Sequence, residues 1–180
     1  MNITFRPATQ ADLFFIARGF HMAMLMDADD TQRIQRFADA VCAEPGVLYS
    51  PENTIIACVN GTPAGMITAY DGARYHAMRE RTFQLVKERL GVEFPGMEDE
   101  AVAGEYYLDS LAVLPEYRGN GIGRLLLLRA IEHASELGIP KVTLAVDPEN
   151  PKAQRLYESL GFRRGRDLFI FGHTYWQMVL

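Results

Sequence analysis

The spacing of apolar residues changes period repeatedly along the chain, and each change predicts an element. Alternation from Asn2 to Arg6 predicts a strand, which Pro7 breaks. Thr9-Gln10-Ala11-Asp12 is a capping box, and Leu13, Ile16, Ala17 and Phe20 follow it at helical spacing. A second helix follows Asp29 and Asp30, with Ile34, Phe37, Ala38 and Val41 on one stripe, and Pro45-Gly46 ends it. Thr54 to Val59 and Ala64 to Tyr70 read as antiparallel strands joined at Asn60-Gly61, a strong hairpin signal. Residues 73–90 are highly charged, yet Tyr75, Met78, Thr82, Leu85 and Val86 share one side, which predicts a helix. Residues 91–104 read as a loop holding Pro95-Gly96 and an acidic patch at Glu98, Asp99 and Glu100. Glu105 to Val113 predicts a strand, 122–137 a helix stopped by Gly138, and Lys141 to Val146 another strand. Asn150 caps a short helix with Pro151 in its first turn, and Gly161 stops it. Phe162 to Phe171 and Thr174 to Leu180 close the chain as two strands.

The order β-α-α-β-β-(α)-β-α-β-α-β-β implies an α/β fold, a mixed sheet with helices on both faces. Nothing repeats, and no low-complexity tract or linker divides the 180 residues, a length suited to one domain with its own core.

Composition excludes more than it selects. Lys and Arg number 18 against 23 Asp and Glu, a net charge of −5, which argues against non-specific binding to nucleic acid or an anionic membrane. The start of the chain is interrupted by Asn2, Thr4 and Arg6, and no apolar run reaches the length of a membrane span, so a cytoplasmic protein without a leader is expected. Cys42 and Cys58 have neither metal nor redox spacing and read as buried thiols. His21, His76, His133 and His173 show no ligand spacing, and no metal is expected. Met22-Ala23-Met24-Leu25-Met26 reads as core or pocket lining.

Candidate chemistry concentrates in Pro115-Glu116-Tyr117-Arg118-Gly119-Asn120-Gly121-Ile122-Gly123-Arg124, where three alternating glycines run into the long helix. The first N–H groups of a helix lack internal partners, its dipole is positive there, and glycines let an anion approach the backbone. A P-loop needs GxxxxGK[ST], which is missing. A Rossmann loop has its βαβ context here, with Asp147 about where a ribose-binding acid would sit. Against it, the spacing is GxGxG rather than GxGxxG, and little chain remains for a second mononucleotide half.

The run Leu108-Asp109-Ser110-Leu111-Ala112-Val113-Leu114-Pro115-Glu116-Tyr117-Arg118-Gly119-Asn120-Gly121-Ile122-Gly123 resembles motif A of the GNAT N-acetyltransferases, which ends in [RQ]-x-x-G-x-[GA]. Asn150-Pro151-Lys152-Ala153-Gln154-Arg155-Leu156-Tyr157-Glu158-Ser159-Leu160-Gly161-Phe162 resembles their motif B. The two motifs in order, with a helix and a strand between, are highly specific. The resemblance is close over residues 105–165 and follows element order elsewhere. It implies a mostly antiparallel mixed sheet with a splayed cleft for acetyl-coenzyme A. The pyrophosphate would lie on the amides of Arg118, Gly119, Asn120, Gly121, Ile122, Gly123 and Arg124. Pantetheine would run along Leu111, Ala112 and Val113 like a missing strand, against Asn150, Ala153 and Tyr157. Residues 73–104 are longer than the turn usual at that place in the family. A single domain over 1–180 with a helical insertion at about 73–104 is therefore expected.

Amide formation from a thioester needs a neutral amine, so a carboxylate is wanted as proton acceptor. Asp109 and Glu105 are the candidates: four residues apart, a regular strand puts them on one face. Resemblance gives Tyr157 the role of general acid toward the leaving thiolate. It also places His173-Thr174-Tyr175-Trp176 near the acceptor and makes a homodimer through C-terminal strands an expectation. The acceptor itself, a small-molecule or peptide amine, is left open, as is a non-catalytic acyl-CoA-binding role. For residues 73–104 the expectation is a helical flap over the acceptor side, its acids facing a cationic amine, dispensable for the sheet; the alternative is a surface elaboration or a dimer contact.

Overall fold

A computed structural model of the chain describes residues 2–24, 26–94 and 97–180. Strands β1 (Ile3–Pro7), β2 (Thr54–Val59), β3 (Thr62–Asp71), β4 (Tyr106–Val113), β5 (Val142–Val146), β6 (Arg163–Ile170) and β7 (His173–Val179) form one sheet in the order β1-β2-β3-β4-β5-β7-β6. Every neighbouring pair is antiparallel except β4 and β5. Helices α1 (Leu13–Ala23), α2 (Thr31–Phe37) and α3 (Tyr75–Leu90) pack on one face, α4 (Ile122–Glu136) and α5 (Pro151–Glu158) on the other. This is the element order and the two-faced α/β layering expected from the periodicity. Leu25 and the Pro95-Gly96 pair lie outside the described residues.

Local chemistry sets these boundaries. The Asp12 carboxylate accepts from the Thr9 N–H at 2.8 Å and from both Arg6 Nη atoms at 2.7 Å, tying β1 to the start of α1. The Arg6 guanidinium holds the Asp12 carboxyl down at about 2. Asp30 Oδ1 accepts from the Arg33 N–H and opens α2, which continues into a π turn over Ala38–Cys42. Asn60 and Gly61 both take positive φ, 49° and 85°, as a tight right-twisted hairpin demands.

The two faces bury separate apolar bodies. On one, Ile122, Leu126, Leu127 and Ala130 of α4 meet Val142, Leu144 and Val146 of β5 and Tyr106 and Leu108 of β4. On the other, Ile16, Ile34, Phe37 and Val41 meet Ile56 and Met66 together with Leu85 and Val86 of α3. Tyr75 and Met78 of α3 pack with Leu48, Tyr70 and Tyr107 in a third group.

This arrangement corrects the expected flap. The α3 stripe Tyr75, Met78, Thr82, Leu85 and Val86 is buried as predicted, but against the sheet-facing core, so the sheet does rely on it. Met78, Leu85 and Val86 each contribute on the order of 2 kcal/mol of burial. The segment that follows is tied down as well. Phe94 stacks between Phe83 of α3 and Phe171 of the β6–β7 turn, with ring centroids 4.8 and 5.2 Å apart. Just before β4 the Gly72 N–H donates to the Glu105 carbonyl at 2.7 Å. A Cβ at Gly72 would sit 2.2 Å from the Val102 carbonyl oxygen, so only glycine allows this approach.

Candidate active site

Strand β4 is paired on both sides only over its first three residues. It runs parallel to β5 at Tyr106, Tyr107 and Leu108, opposite Val142, Thr143 and Leu144. Beyond Leu108 it pairs with β3 alone. From Asp109 to Val113 the β5-facing edge of β4 therefore has no strand partner. An extended, amide-bearing chain fits along such an edge as an added strand. The expected cleft opens at the place the resemblance implies.

The divergence coincides with a β-bulge. Thr68 pairs with Ser110 and Ala69 with Leu108, so Asp109 is the extra residue in β4. A bulge reverses which residues face which side. Tyr106 and Leu108 lie in the α4-side core before it, Leu111 and Val113 after it, while Ala112 faces the opposite body.

The free edge leads to the glycine turn. Gly119 and Gly121 take φ of 80° and 76°, and a Cβ built on either meets nothing within 4 Å. Space is open in front of the amides, and a side chain there would fill it. Leu125 is the first residue of α4 whose N–H bonds within the helix, to the Gly121 carbonyl, so the N–H groups of Ile122, Gly123 and Arg124 face the helix mouth. Asn120 Nδ2 donates to the carbonyls of Tyr117 and Arg118 and fixes the turn. Arg124 reaches Ser159 at the end of α5, bridging the two helices beside the cleft. Arg118 Nε donates to the Val113 carbonyl at 3.0 Å, so this carbonyl of the edge already has a partner. Orphan amides, open space, positive φ and two guanidinium groups fit a pyrophosphate.

On the far side of the cleft Asn150 Oδ1 accepts from the Ala153 N–H at 3.1 Å and caps α5, leaving its Nδ2 as the free group. Ala153, Leu156 and Tyr157 pack on the α4-side core. The Tyr157 ring meets Phe162 edge-on at 6.0 Å, and burial pushes its phenol up to about 12. Its hydroxyl makes no hydrogen bond among the described residues.

The two carboxylate candidates differ. Glu105 lies just before β4 rather than in it, and is 4 % exposed. It accepts from Lys141 Nζ at 2.8 Å and from Thr143 Oγ1 at 3.3 Å, which is a structural ion pair joining β4 to β5. Asp109, at the bulge, accepts from Tyr70 Oη at 2.5 Å and from Ser110 Oγ at 2.9 Å, and has no cation among its partners. Burial raises its pKa despite those donors. Both acids lie on the face of β4 that carries Tyr107, as the strand spacing predicts: Glu105 meets Thr143, the register partner of Tyr107, and Asp109 meets Tyr70, so the bulge reverses the faces only after Asp109.

The acidic patch 98–100 has three fates. Glu98 is exposed near Arg166, and Asp99 pairs with Arg79 at 2.7 Å and with His76 at 3.1 Å. Glu100 turns inward: it accepts from Tyr75 Oη at 2.9 Å and from Tyr107 Oη at 2.5 Å. Burial, together with the Asp109 charge, pushes its carboxyl up to about 7. The sequence shows Glu100 only as one of three acids in a run, and its phenol partners Tyr75 and Tyr107 meet it only in the fold. Tyr175, on β7, is raised by burial and by Asp147 and Glu100, while Trp176 lies under the Arg164 guanidinium, 4.0 Å from its ring. Of the methionine run, Met22 packs on the α1–α2 side core and Met26 lines a pocket of ≈170 Å³ between α1, α2 and α3.

Comparison with known proteins agrees with this geometry. The family model "Acetyltransferase (GNAT) family" matches residues 18–162, so the chain belongs to the GNAT acetyltransferase family. A crystal structure described as an acetyltransferase superposes with a TM-score of 0.79 at 30 % identity, covering 98 % of this chain and 97 % of that one. The PaiA N-acetyltransferase of Thermoplasma acidophilum, solved in complex with coenzyme A, shares the fold with a TM-score of 0.59 at 18 % identity, covering 99 % and 98 % of the two chains. A mycothiol acetyltransferase of Thermobifida fusca is 40 % identical over 79 residues, 44 % of this chain and 24 % of that protein. The chain thus spans about a quarter of the length of that curated relative. No helix among the described residues is long and apolar enough to cross a membrane.

Proposed function

We propose that the protein transfers the acetyl group of acetyl-CoA to a primary amine by direct attack within a ternary complex. The observation that carries this reading is the splay of β4 from β5 after Leu108, which leaves a free strand edge ending at the glycine mouth of α4. The pyrophosphate is held at Arg118–Arg124, and the pantetheine arm runs along Leu111, Ala112 and Val113 with Asn150 Nδ2 opposite. That route brings the thioester to Asp109, at the head of the splay.

Asp109 takes one proton from the incoming ammonium. The amine nitrogen then attacks the thioester carbon, and a backbone N–H of the bulged strand holds the oxyanion. As the tetrahedral intermediate collapses the C–S bond breaks, Tyr157 donates its proton to the thiolate, and the phenolate recovers one from the acylated nitrogen. With its phenol near 12, Tyr157 is protonated at neutral pH, as a donor must be. An acyl-cysteine route lacks a nucleophile: Cys42 and Cys58 are buried, and burial raises the Cys42 thiol. Glu105, already paired to Lys141, keeps a structural role.

Supporting family membership, acetyltransferase neighbours and a coenzyme A complex on the same fold point the same way. The acceptor is a small-molecule or peptide amine. The relatives' mycothiol name does not extend to it, because the match covers so little of their length. The test is release of free CoA thiol on mixing the protein with acetyl-CoA and a panel of amines. Amine-dependent release is expected, with no acetylated protein by intact mass when the amine is omitted. A protein that binds acetyl-CoA without turnover of any amine is a binding module and refutes the transferase reading.

A further inference from the structure

Three phenols and two carboxylates meet on the face of β4 that carries Tyr107. Tyr70, Tyr75 and Tyr107 are 3 %, 1 % and 1 % exposed, and their ring centroids lie 6.0–6.1 Å apart. Each phenol donates to a carboxylate, Tyr70 to Asp109 and the other two to Glu100. Arg79 of α3 is the cation that acts on Glu100, drawing its pKa down; its Nη atoms are bonded to Asp99, to Glu80 and to the Met97 carbonyl, while its buried Nε has no partner among the described residues. Tyr49 and Tyr175 complete the surroundings, and neither brings positive charge. Neither carboxylate forms an ion pair with a cation, so the second of the two gives up its proton reluctantly.

We propose that Glu100 acts through Asp109, so that the two carboxylates titrate as one proton acceptor at the head of the β4–β5 splay. Asp109 is the member that meets the amine. Glu100 is a positioning residue: its charge raises the affinity of Asp109 for the proton, and the phenols hold both carboxylates in place. This rests on the transferase reading above and adds to it that a residue from the segment between α3 and β4 sets the basicity of the site. The doubly ionised pair takes the proton of the ammonium, becomes a singly protonated pair, and returns that proton to solvent after the product leaves. Burial and the Asp109 charge push the Glu100 carboxyl to about 7, so the charge that Asp109 faces from Glu100 changes with pH near neutrality.

Two readouts separate this proposal from the transferase reading. In the apo protein, carboxyl-carbon NMR should show one carboxylate titrating near neutral pH, and that step should vanish in Glu100→Gln. The sign for stability follows: a carboxyl whose folded pKa is raised stabilises the fold at acid pH, and that contribution is lost as pH rises through about 7. Glu100→Gln has one amide oxygen, which accepts from one of the two phenols, while its NH2 faces the other, so it should be less stable at every pH yet lose less stability than wild type between pH 5 and pH 8 (roughly the span of the titration).

In turnover, the rising limb of the kcat/KM profile should move to lower pH in Glu100→Gln, with a plateau roughly tenfold lower, as expected of a weaker base. Asp109→Asn should lose about a hundredfold, and Glu100→Asp should restore part of the limb. A folded Glu100→Gln variant with the wild-type limb overturns the proposal and leaves the transferase reading standing. A wild type with no amine turnover, even with the apo titration present, overturns the base role together with that reading.

Discussion

Tyr157 and Asp109 stand on opposite walls of the cleft, and the proposed reaction asks opposite chemistry of them. Burial raises both pKa values, which makes the phenol a reluctant anion able to donate and the carboxylate a willing acceptor. Tyr157→Phe should lower kcat about ten- to a hundredfold while leaving the KM for acetyl-CoA within about twofold, since the lost group acts on the departing thiolate. Steady-state kinetics with a fixed amine checks this, and an unchanged kcat with chemistry rate-limiting would remove Tyr157 from the reaction. In the sequence, Tyr157 is marked by its motif, and Asp109, together with Glu105, by its place on the strand beside the expected thioester. Glu100 is not, since nothing in an acidic run tells which member turns inward. Its partners Tyr75 and Tyr107 are 25 and 7 residues away and meet it only through the fold. The Lys141 partner of Glu105, 36 residues distant, was out of sight for the same reason.

At the level of elements, hydrophobic period predicted every helix and strand in order, because most of these segments bury one face against a single neighbour. Three features escaped it. The bulge at Asp109 inserts a residue into β4 while the surrounding sequence stays apolar on both sides, so alternation gave no sign of the reversal. A π turn extends α2 through Cys42, with the apolar stripe continuing across it. The stripe on α3 was visible, but the surface it packs against was not. Leu85 is 4 % exposed and sits with Ile34 and Phe37 in the α1–α2 side core. Leu85→Ala should cost about 2–5 kcal/mol in denaturant unfolding, where a surface flap would give almost none. Replacing 73–102 by a short turn should, for the same reason, abolish folding rather than retune amine preference.

Taken as a whole, the molecule has two bodies of core clamped on a sheet that is continuous except at one place. Strands β1 to β4 form one antiparallel block, β5, β7 and β6 another, and only three parallel pairs join them. The Glu105–Lys141 ion pair and Thr143 reinforce that short seam, while Arg124 and Ser159 link α4 to α5 beyond it. The wedge past the seam is where the account places acetyl-CoA. Its most direct test is an amide NMR titration of the protein with CoA, run beside Gly121→Asn. Asn tolerates the positive φ at that position, yet puts a side chain into the open space before the amides. With CoA bound in the wedge, the amides of 109–113 and 118–124 should shift together in the wild type. In the folded variant the affinity should fall at least about tenfold, a loss of about 1.4 kcal/mol of binding. Shifts confined to another surface, or equal affinity in the folded variant, would contradict that placement.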